Sequence, residues 1–460
     1  MNYGKIIAVQ GPVVDVEFEK DVVLPLLYDI LYVYTPDKRR VPLEVCEHPG
    51  GGVVRCIALA QTNDLQRNSR VEPTGQAIKV PVGDNIFGRL MNVLGEPIDK
   101  KGEIITDEYL PARRKKDLNV HVSRRKNKYE FIETGMKMID LLFPLLKGSK
   151  SGLLGGAGLG KTQLVLEIIR NITDKQDAVP IFTGVGERIR EGNELYHEFE
   201  IRDMLKRVIL VFGQMNESPG ARFEVAQTGV TIAEYFVEKG RDVLLFVDNI
   251  FRFVQAGSEL STLMGRTPSE TGYQPTLLSE MSSFQERIKS TSEGSITAIE
   301  AVYMPSDDPS DPAVVCTFGY LDSIIVLSRE KVQSGHYPAI DPLTSSSFSL
   351  DPEIIGLNHY RIAMDVLKIL HKYEELKRIV SVIGLEEISK EDRMTYDRAR
   401  KLTNFLTQPF FTSELFTGKK GEYVPLGKTL EGCERISAGE FDKVPMDNFY
   451  MIGSVDGINK

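Results

Sequence analysis

Tryptophan is absent from the 460-residue chain, and cysteine is scarce. The four cysteines, Cys46, Cys56, Cys316 and Cys433, show neither metal-ligand spacing nor the density of a disulfide scaffold, which suits a reducing compartment. No apolar run approaches membrane-spanning length, and Met1-Asn2-Tyr3-Gly4-Lys5 lacks a signal-peptide pattern. The expectation is a cytoplasmic protein without direct membrane insertion, so that any membrane association runs through partner proteins. Basic residues do not dominate: 56 Lys and Arg face 65 Asp and Glu, a formal net charge of −9. That balance argues against nonspecific nucleic-acid binding across the surface. Low-complexity tracts and short-period repeats are also missing. The remaining composition is ordinary, 42% hydrophobic and 26% charged, and the length predicts two or three domains rather than one core.

Three regions are expected along the chain. Residues 1–77 read as strands: Val14, Val16 and Phe18 alternate with Asp15 and Glu17, while Gly11-Pro12 and Pro49 to Gly52 punctuate turns, a pattern that fits a small β-barrel. Residues 78–355 alternate short apolar strands with helices, which predicts a parallel sheet. Residues 356–460 read as helical. Ile362, Val366, Ile369, Tyr373, Leu376 and Val380 recur at helical spacing. A second helix is predicted to start at a capping pattern, Ser389-Lys390-Glu391-Asp392, and to carry Met394, Leu402, Phe405 and Leu406.

The most specific motif is Gly155-Gly156-Ala157-Gly158-Leu159-Gly160-Lys161-Thr162, which fits G-x-x-x-x-G-K-[ST]. Ser151 to Leu154 reads as a short strand before it. Gln163 to Ile172 reads as a helix after it, with Leu164, Val165, Ile168 and Ile169 on one face. A glycine-rich turn can match by chance, but this strand–loop–helix context is what a phosphate loop requires. The glycines let backbone N–H groups turn toward phosphates, Lys161 adds a point charge, and the Thr162 hydroxyl suits Mg²⁺. Gly156, Ala157, Gly158, Leu159, Gly160, Lys161, Thr162 and Gln163 are therefore expected to hold ATP or ADP.

Two further segments suit the chemistry. Val243 to Val247 is a continuous apolar run ending in Asp248, as expected of a buried parallel strand delivering a carboxylate to the water shell of Mg²⁺. Pro180 to Thr183 runs into Gly184-Val185-Gly186-Glu187-Arg188-Ile189-Arg190-Glu191-Gly192. Alone, such a charged cluster is more often a solvated salt-bridge face. One strand after a phosphate loop, Glu187 suits the attacking water, Arg188 the γ-phosphate and Glu191 the waters of the metal.

Over nearly its whole length the chain resembles the catalytic beta subunit of the F-type rotary ATPase (ATP synthase), as a divergent paralogue. The matching stretches are Met91 to Asp99, Gly155 to Thr162, Gly184 to Gly192, Gly213 to Glu217, Asp248 to Phe253, Gly272 to Thr276, Tyr337 to Pro342 and Phe416 to Gly418. The resemblance implies an N-terminal β-barrel crown, a central RecA-like α/β P-loop nucleotide-binding domain and a C-terminal helical domain. It implies phosphate contacts from Lys161 and Arg188, Mg²⁺ on Thr162, and the hydrolytic water on Glu187. Glu191, Asp248 and Arg252 would hold the metal through water, and Tyr337, Phe410 and Phe416 would form the adenine slot. Without the resemblance, these three aromatics read as core packing. The non-catalytic alpha partner of this family carries Gln where Glu187 stands, and an amide cannot act as a base.

Implied partners are an alpha-type subunit lending an arginine finger in trans, a gamma-like central shaft, and a stalk and membrane sector or a specialised replacement. The location implied is peripheral, at the inner face of the cell membrane. Glu386 to Asp392 resembles the acidic loop that meets the shaft, and Asp307, Asp308 and Asp311 a second one. Three departures stand out. Lys390 interrupts the acidic loop, and Phe348 replaces the usual arginine. Arg113 to Lys128 carries eight basic residues and one acid, either a solvated linker or a docking surface for an acidic partner. Proton-coupled synthase and ATP-driven motor without proton translocation stay open. A Rho-type hexameric nucleic-acid translocase shares the ATPase core but would need an N-terminal RNA-binding fold. A non-catalytic ring subunit would lack the need for Glu187.

Overall fold

The computed structural model describes residues 3–19, 22–113, 129–156, 158–175, 178–305, 308 and 310–458, without the side chains of 415 and 416. Ala157, Asp307, the Phe416 side chain and the basic stretch after Arg113 therefore lie outside the described residues. The chain forms two compact units, one from the stretches 1–123 and 178–320, the other from 124–177 and 321–460.

In the first unit, strands Gly4–Gln10, Val13–Glu17, Asp29–Tyr34, Arg40–Gly50, Val53–Ala58 and Arg70–Ala77 close into a barrel. Strand alternation accounts for it. Ile6, Val14, Val16, Leu31, Val33, Val41, Leu43, Val45, Val54 and Val71 fill the interior, while Asp15 faces outward and accepts from Arg55 Nε at 2.8 Å. Closure leaves no strand edge to aggregate.

Five parallel strands follow in the spatial order Ile296–Val302, Asp242–Asp248, Ala178–Glu187, Ile209–Gln214, Leu90–Met91. Their near-continuous apolar sequences match burial on both faces. Helix Pro219–Glu238 covers one face. Ser218 caps it by accepting from Ala221 N, Pro219 opens it, and Gly229 leaves no room for a side chain over Thr183. Two buried carboxylates on this helix are paired, Glu224 with Arg113 and Glu234 with Arg287, which meets the requirement that a buried charge have a partner.

In the second unit, strands Lys150–Leu154 and Ser323–Val326 run parallel, with Ser151 opposite Ser323 and Leu154 opposite Val326. Helix Lys161–Lys175 follows the first of them. Helix Leu357–Ile383 ends at Gly384, and Ser389 caps helix Lys390–Phe405 by accepting from Asp392 N at 3.0 Å, as the capping pattern predicts. The expected stripe is only partly the core face. Ile362, Val366 and Leu376 are buried, but Ile369, Tyr373 and Val380 are half-buried and Leu370 takes the inner position. Met394 is exposed as well, whereas Leu402, Phe405 and Leu406 are buried. Val382 and Ile383, in the last turn of the first helix, are exposed, so the buried face does not extend to the hairpin tip. The architecture is the expected one: barrel, parallel α/β region, helical C-terminal region. No helix of the described residues is long and apolar enough to cross a membrane.

Lys137 is buried in this unit, with Nζ donating to Ile452 O at 2.6 Å and standing 4.3 Å from the Phe405 ring centroid. Burial pulls its pKa from 10.5 to about 7, against small upward pulls from Cys433 and Glu422. Between those values the unfolded chain binds the proton more readily, so stability rises with pH across that window and the penalty is complete below it. The stability of the wild-type chain relative to Lys137→Met is therefore expected to increase from pH 7 upward in thermal melts. A difference that stays flat with pH would show that Lys137 is not held in this way.

Candidate functional site

The phosphate loop leaves the strand Lys150–Leu154 at Gly155, where a methyl group would sit 3.0 Å from Leu327 Cβ. Gly158 and Gly160 adopt φ of 78° and 88°, the left-handed region that only glycine enters without strain. Among the described residues, beyond the adjacent loop positions, nothing stands within 4 Å of a methyl group placed at either, so the loop's hollow is open there. Leu159 is buried and anchors it. Lys161 begins the helix and donates from Nζ to Gly155 O at 2.9 Å, which folds its charge back over the loop. Thr162 is exposed in the first turn, where backbone N–H groups lack intrahelical partners. Gln163 keeps Oε1 buried without a hydrogen-bond partner among the described residues. Open hollow, left-handed glycines, overlying lysine and exposed hydroxyl together fit a polyphosphate with Mg²⁺. No cluster of three or more His, Cys, Asp or Glu suited to a metal occurs among the described residues.

The same unit ties the segment that carries Phe410 to the helix that follows the loop. Tyr337 is 38% exposed, and its carbonyl accepts from Gln408 N at 2.9 Å. Phe410 is buried, so between these two rings Tyr337 presents the more open face. Glu167 accepts from Phe411 N at 3.1 Å and Thr412 N at 3.0 Å, strapping the 408–412 segment to helix Lys161–Lys175. Arg170 adds a cation–π contact 3.6 Å from the Phe411 centroid. Burial raises the pKa of Glu167, partly offset by the two backbone donors. The sequence reading did not single out Glu167. The available signal was a lone carboxylate inside an otherwise apolar run, Leu164 to Ile169.

In the other unit, adjacent parallel strands bring five predicted residues to one end of the sheet. Asp248 ends its strand opposite Gly184, three residues before Glu187 on the neighbouring strand. An irregularity between Val185 and Glu187 sets Glu187 opposite Gln214, and Glu187 O accepts from Met215 N at 2.8 Å. Gly186, at φ 67°, lets the stem of Arg252 pack against it, with a methyl group there falling 3.0 Å from Arg252 Cβ. Arg188 occupies the N-cap position of helix Ile189–Ile201 without a side-chain capping bond, and its Nη1 lies 3.4 Å from Glu191 Oε1, both side chains exposed. Arg252 Nη1 donates to Gln255 Oε1 at 2.8 Å, on a helix whose start Asn249 caps through Phe251 N. Glu217, on the neighbouring strand's exit, accepts from Gln214 N at 3.2 Å and has its pKa raised by burial. The C-terminal ends of parallel strands are where α/β sheets collect ligands.

Replacing Glu167 by Ala removes the acceptor of two backbone N–H bonds, one of them buried, and is expected to cost about 1–3 kcal/mol, read as a lowered midpoint in denaturant unfolding. Glu167→Gln keeps one acceptor oxygen and should lose less. Equal stability of all three chains would mean the strap contributes nothing.

Three family models match the chain in order. The beta-barrel domain of the ATP synthase alpha/beta family matches residues 6–75, and the nucleotide-binding domain of that family matches residues 135–347. The C-terminal domain of V and A type ATP synthase matches residues 350–445. The barrel, the phosphate loop with its parallel strands, and the helical hairpin are thus each matched by a domain of one kind of rotary assembly, and the chain belongs to the ATP synthase alpha/beta family.

Proposed function

We propose that this chain is the catalytic, beta-type subunit of an α3β3-like hexameric rotary ATPase of F-type character, coupling Mg-ATP hydrolysis or synthesis to rotation of a central shaft. The observation that carries the proposal is Glu187, a carboxylate at the end of a central parallel strand, followed by Arg188 and one strand from Asp248. A carboxylate there can orient and deprotonate water, which the amide of a non-catalytic subunit cannot. The proposed domains are 1–77, a ring crown; 78–355, nucleotide binding; and 356–460, meeting the shaft near Glu386 to Asp392.

In this reading the open glycine loop holds the phosphate chain, and Lys161 moves its charge from Gly155 O to a phosphate oxygen. Mg²⁺, when bound at Thr162, supplies charge neutralisation to the phosphate oxygens. Glu187 orients the water for in-line attack on the γ-phosphorus. Arg188 releases Glu191 to meet the transferring group, and Asp248, Glu191 and Arg252 order the surrounding water. Tyr337 and Phe410, with Phe416, hold adenine by stacking, which needs no base-specific hydrogen bond. Positioning and electrostatics carry such reactions. An alpha-type neighbour would add an arginine in trans, and a gamma-like shaft would read the motion of the C-terminal helices.

A dedicated ATP-driven motor without proton translocation is a second reading, favoured by the surface. Phe348 is 63% exposed, an apolar ring where this family's beta subunits usually carry arginine. Mass spectrometry of the gently purified native complex separates the two. Recovery of a stalk and a membrane ring sinks the second, whereas an alpha-like and shaft-like pair with unfamiliar companions and no membrane ring favours it and sinks proton-coupled synthesis.

In the assembled ring, Glu187→Gln is expected to lower kcat by about 10²–10⁴-fold while leaving ATP affinity near wild type. Lys161→Ala should weaken both. Near-normal turnover of the Glu187 variant would falsify the catalytic assignment.

A further inference from the structure

Arg329 stands at the start of helix Arg329–Gln333, just beyond the strand that pairs with the one feeding the phosphate loop. Backbone bonds pin the approach on both sides. Leu327 N donates to Leu154 O and Ser328 N to Ala339 O, each at 2.8 Å. The packing of Leu327 against Gly155 brings this strand end level with the loop. The Arg329 side chain then reaches back, so that its Nη2 lies 3.7 Å from where a methyl group on Gly156 would sit, with no other atom of the described residues beyond the adjacent loop positions within 4 Å of that point.

The guanidinium is exposed and has no ion pair or hydrogen bond among the described residues. Its neighbour Glu330 does not neutralise it, because that carboxylate is taken by Lys377 at 2.6 Å. An unpaired guanidinium against a glycine of an anion-binding loop has one obvious chemistry. Its planar fork of donors matches phosphate oxygens, and charge-assisted bonds of this kind are the strong ones.

We propose that Arg329 is a further phosphate-binding residue of this loop, contacting the polyphosphate of the bound nucleotide alongside Lys161. The proposal rests on the reading of the loop as a nucleotide site. It adds a charge supplied by the chain itself, from the strand opposite the loop. The alternative is a solvated cation that passes the loop without touching its ligand.

Calorimetry on the full chain with Mg-ADP, inorganic tripolyphosphate and adenosine distinguishes these. Arg329→Gln should weaken ADP and tripolyphosphate about 10-fold, which corresponds to roughly 1.4 kcal/mol, and leave adenosine unchanged. Arg329→Lys should retain part of the loss-prone affinity, having the charge without the fork. Glu330→Gln should match wild type. Unchanged tripolyphosphate affinity in Arg329→Gln overturns the proposal and leaves the nucleotide site standing. An equal loss for adenosine also overturns it, because a general distortion would then explain the effect. Failure of the wild-type chain to bind either ADP or tripolyphosphate overturns the nucleotide-site reading itself, and this proposal with it.

Discussion

Two backbone N–H groups, that of Phe411 part-buried and that of Thr412 buried, donate to the carboxylate of Glu167. A buried donor left alone costs about as much as a lost hydrogen bond. Much of the second unit's candidate site depends on that requirement. The helix carrying Glu167 begins at Lys161, so the segment bearing Phe410 is tied to the same rod that presents the phosphate loop. Gln408 extends the tie, donating to Gly135 O at 2.7 Å and, through its backbone, to the carbonyl of Tyr337. Residues more than two hundred positions apart are thereby held around one helix.

The first unit works by a different constraint. Parallel strands cannot be joined by tight turns, so each must be followed by a crossover, and every strand's C-terminal end opens on the same side. Glu187 and Asp248 come together for that reason and not because anything between them attracts. The glycines before them serve close approach: Gly184 leaves no room for a side chain beside Phe212, and Gly186 admits the stem of Arg252. The exposed pair Arg188–Glu191 stabilises little, since surface ion pairs are worth about 0–1 kcal/mol. A weak pair is easily opened, which suits residues proposed to turn toward a ligand.

The family matches sharpen and complicate this picture together. Barrel and nucleotide-binding models belong to the alpha/beta family at large, while the C-terminal model is described for V and A types. The motifs that led to an F-type reading lie mainly in the central region, whereas the one type-specific match, which names V and A types, lies in the helical region. Its hairpin tip exposes Val382, Ile383 and Met394, and Glu386 is already engaged by Arg393 at 3.0 Å. Lys390 adds to that neutralisation of the expected acidic loop.

Some of this was legible from residues alone. The phosphate loop, the apolar strand ending in Asp248, the alternation of the barrel and the Ser389 cap are local patterns, set by backbone sterics, side-chain periodicity and capping chemistry that act over a few residues. Tertiary structure alone decided which half of an apolar stripe faces inward: Leu370 over Ile369, with Met394 left outside. It alone also recruited Glu167, Gln408 and Arg329, whose importance comes from partners distant in the chain. Periodicity predicts that a residue is buried or exposed on one element. It carries no information about which distant N–H, carbonyl or glycine will stand opposite, because packing between elements sets that.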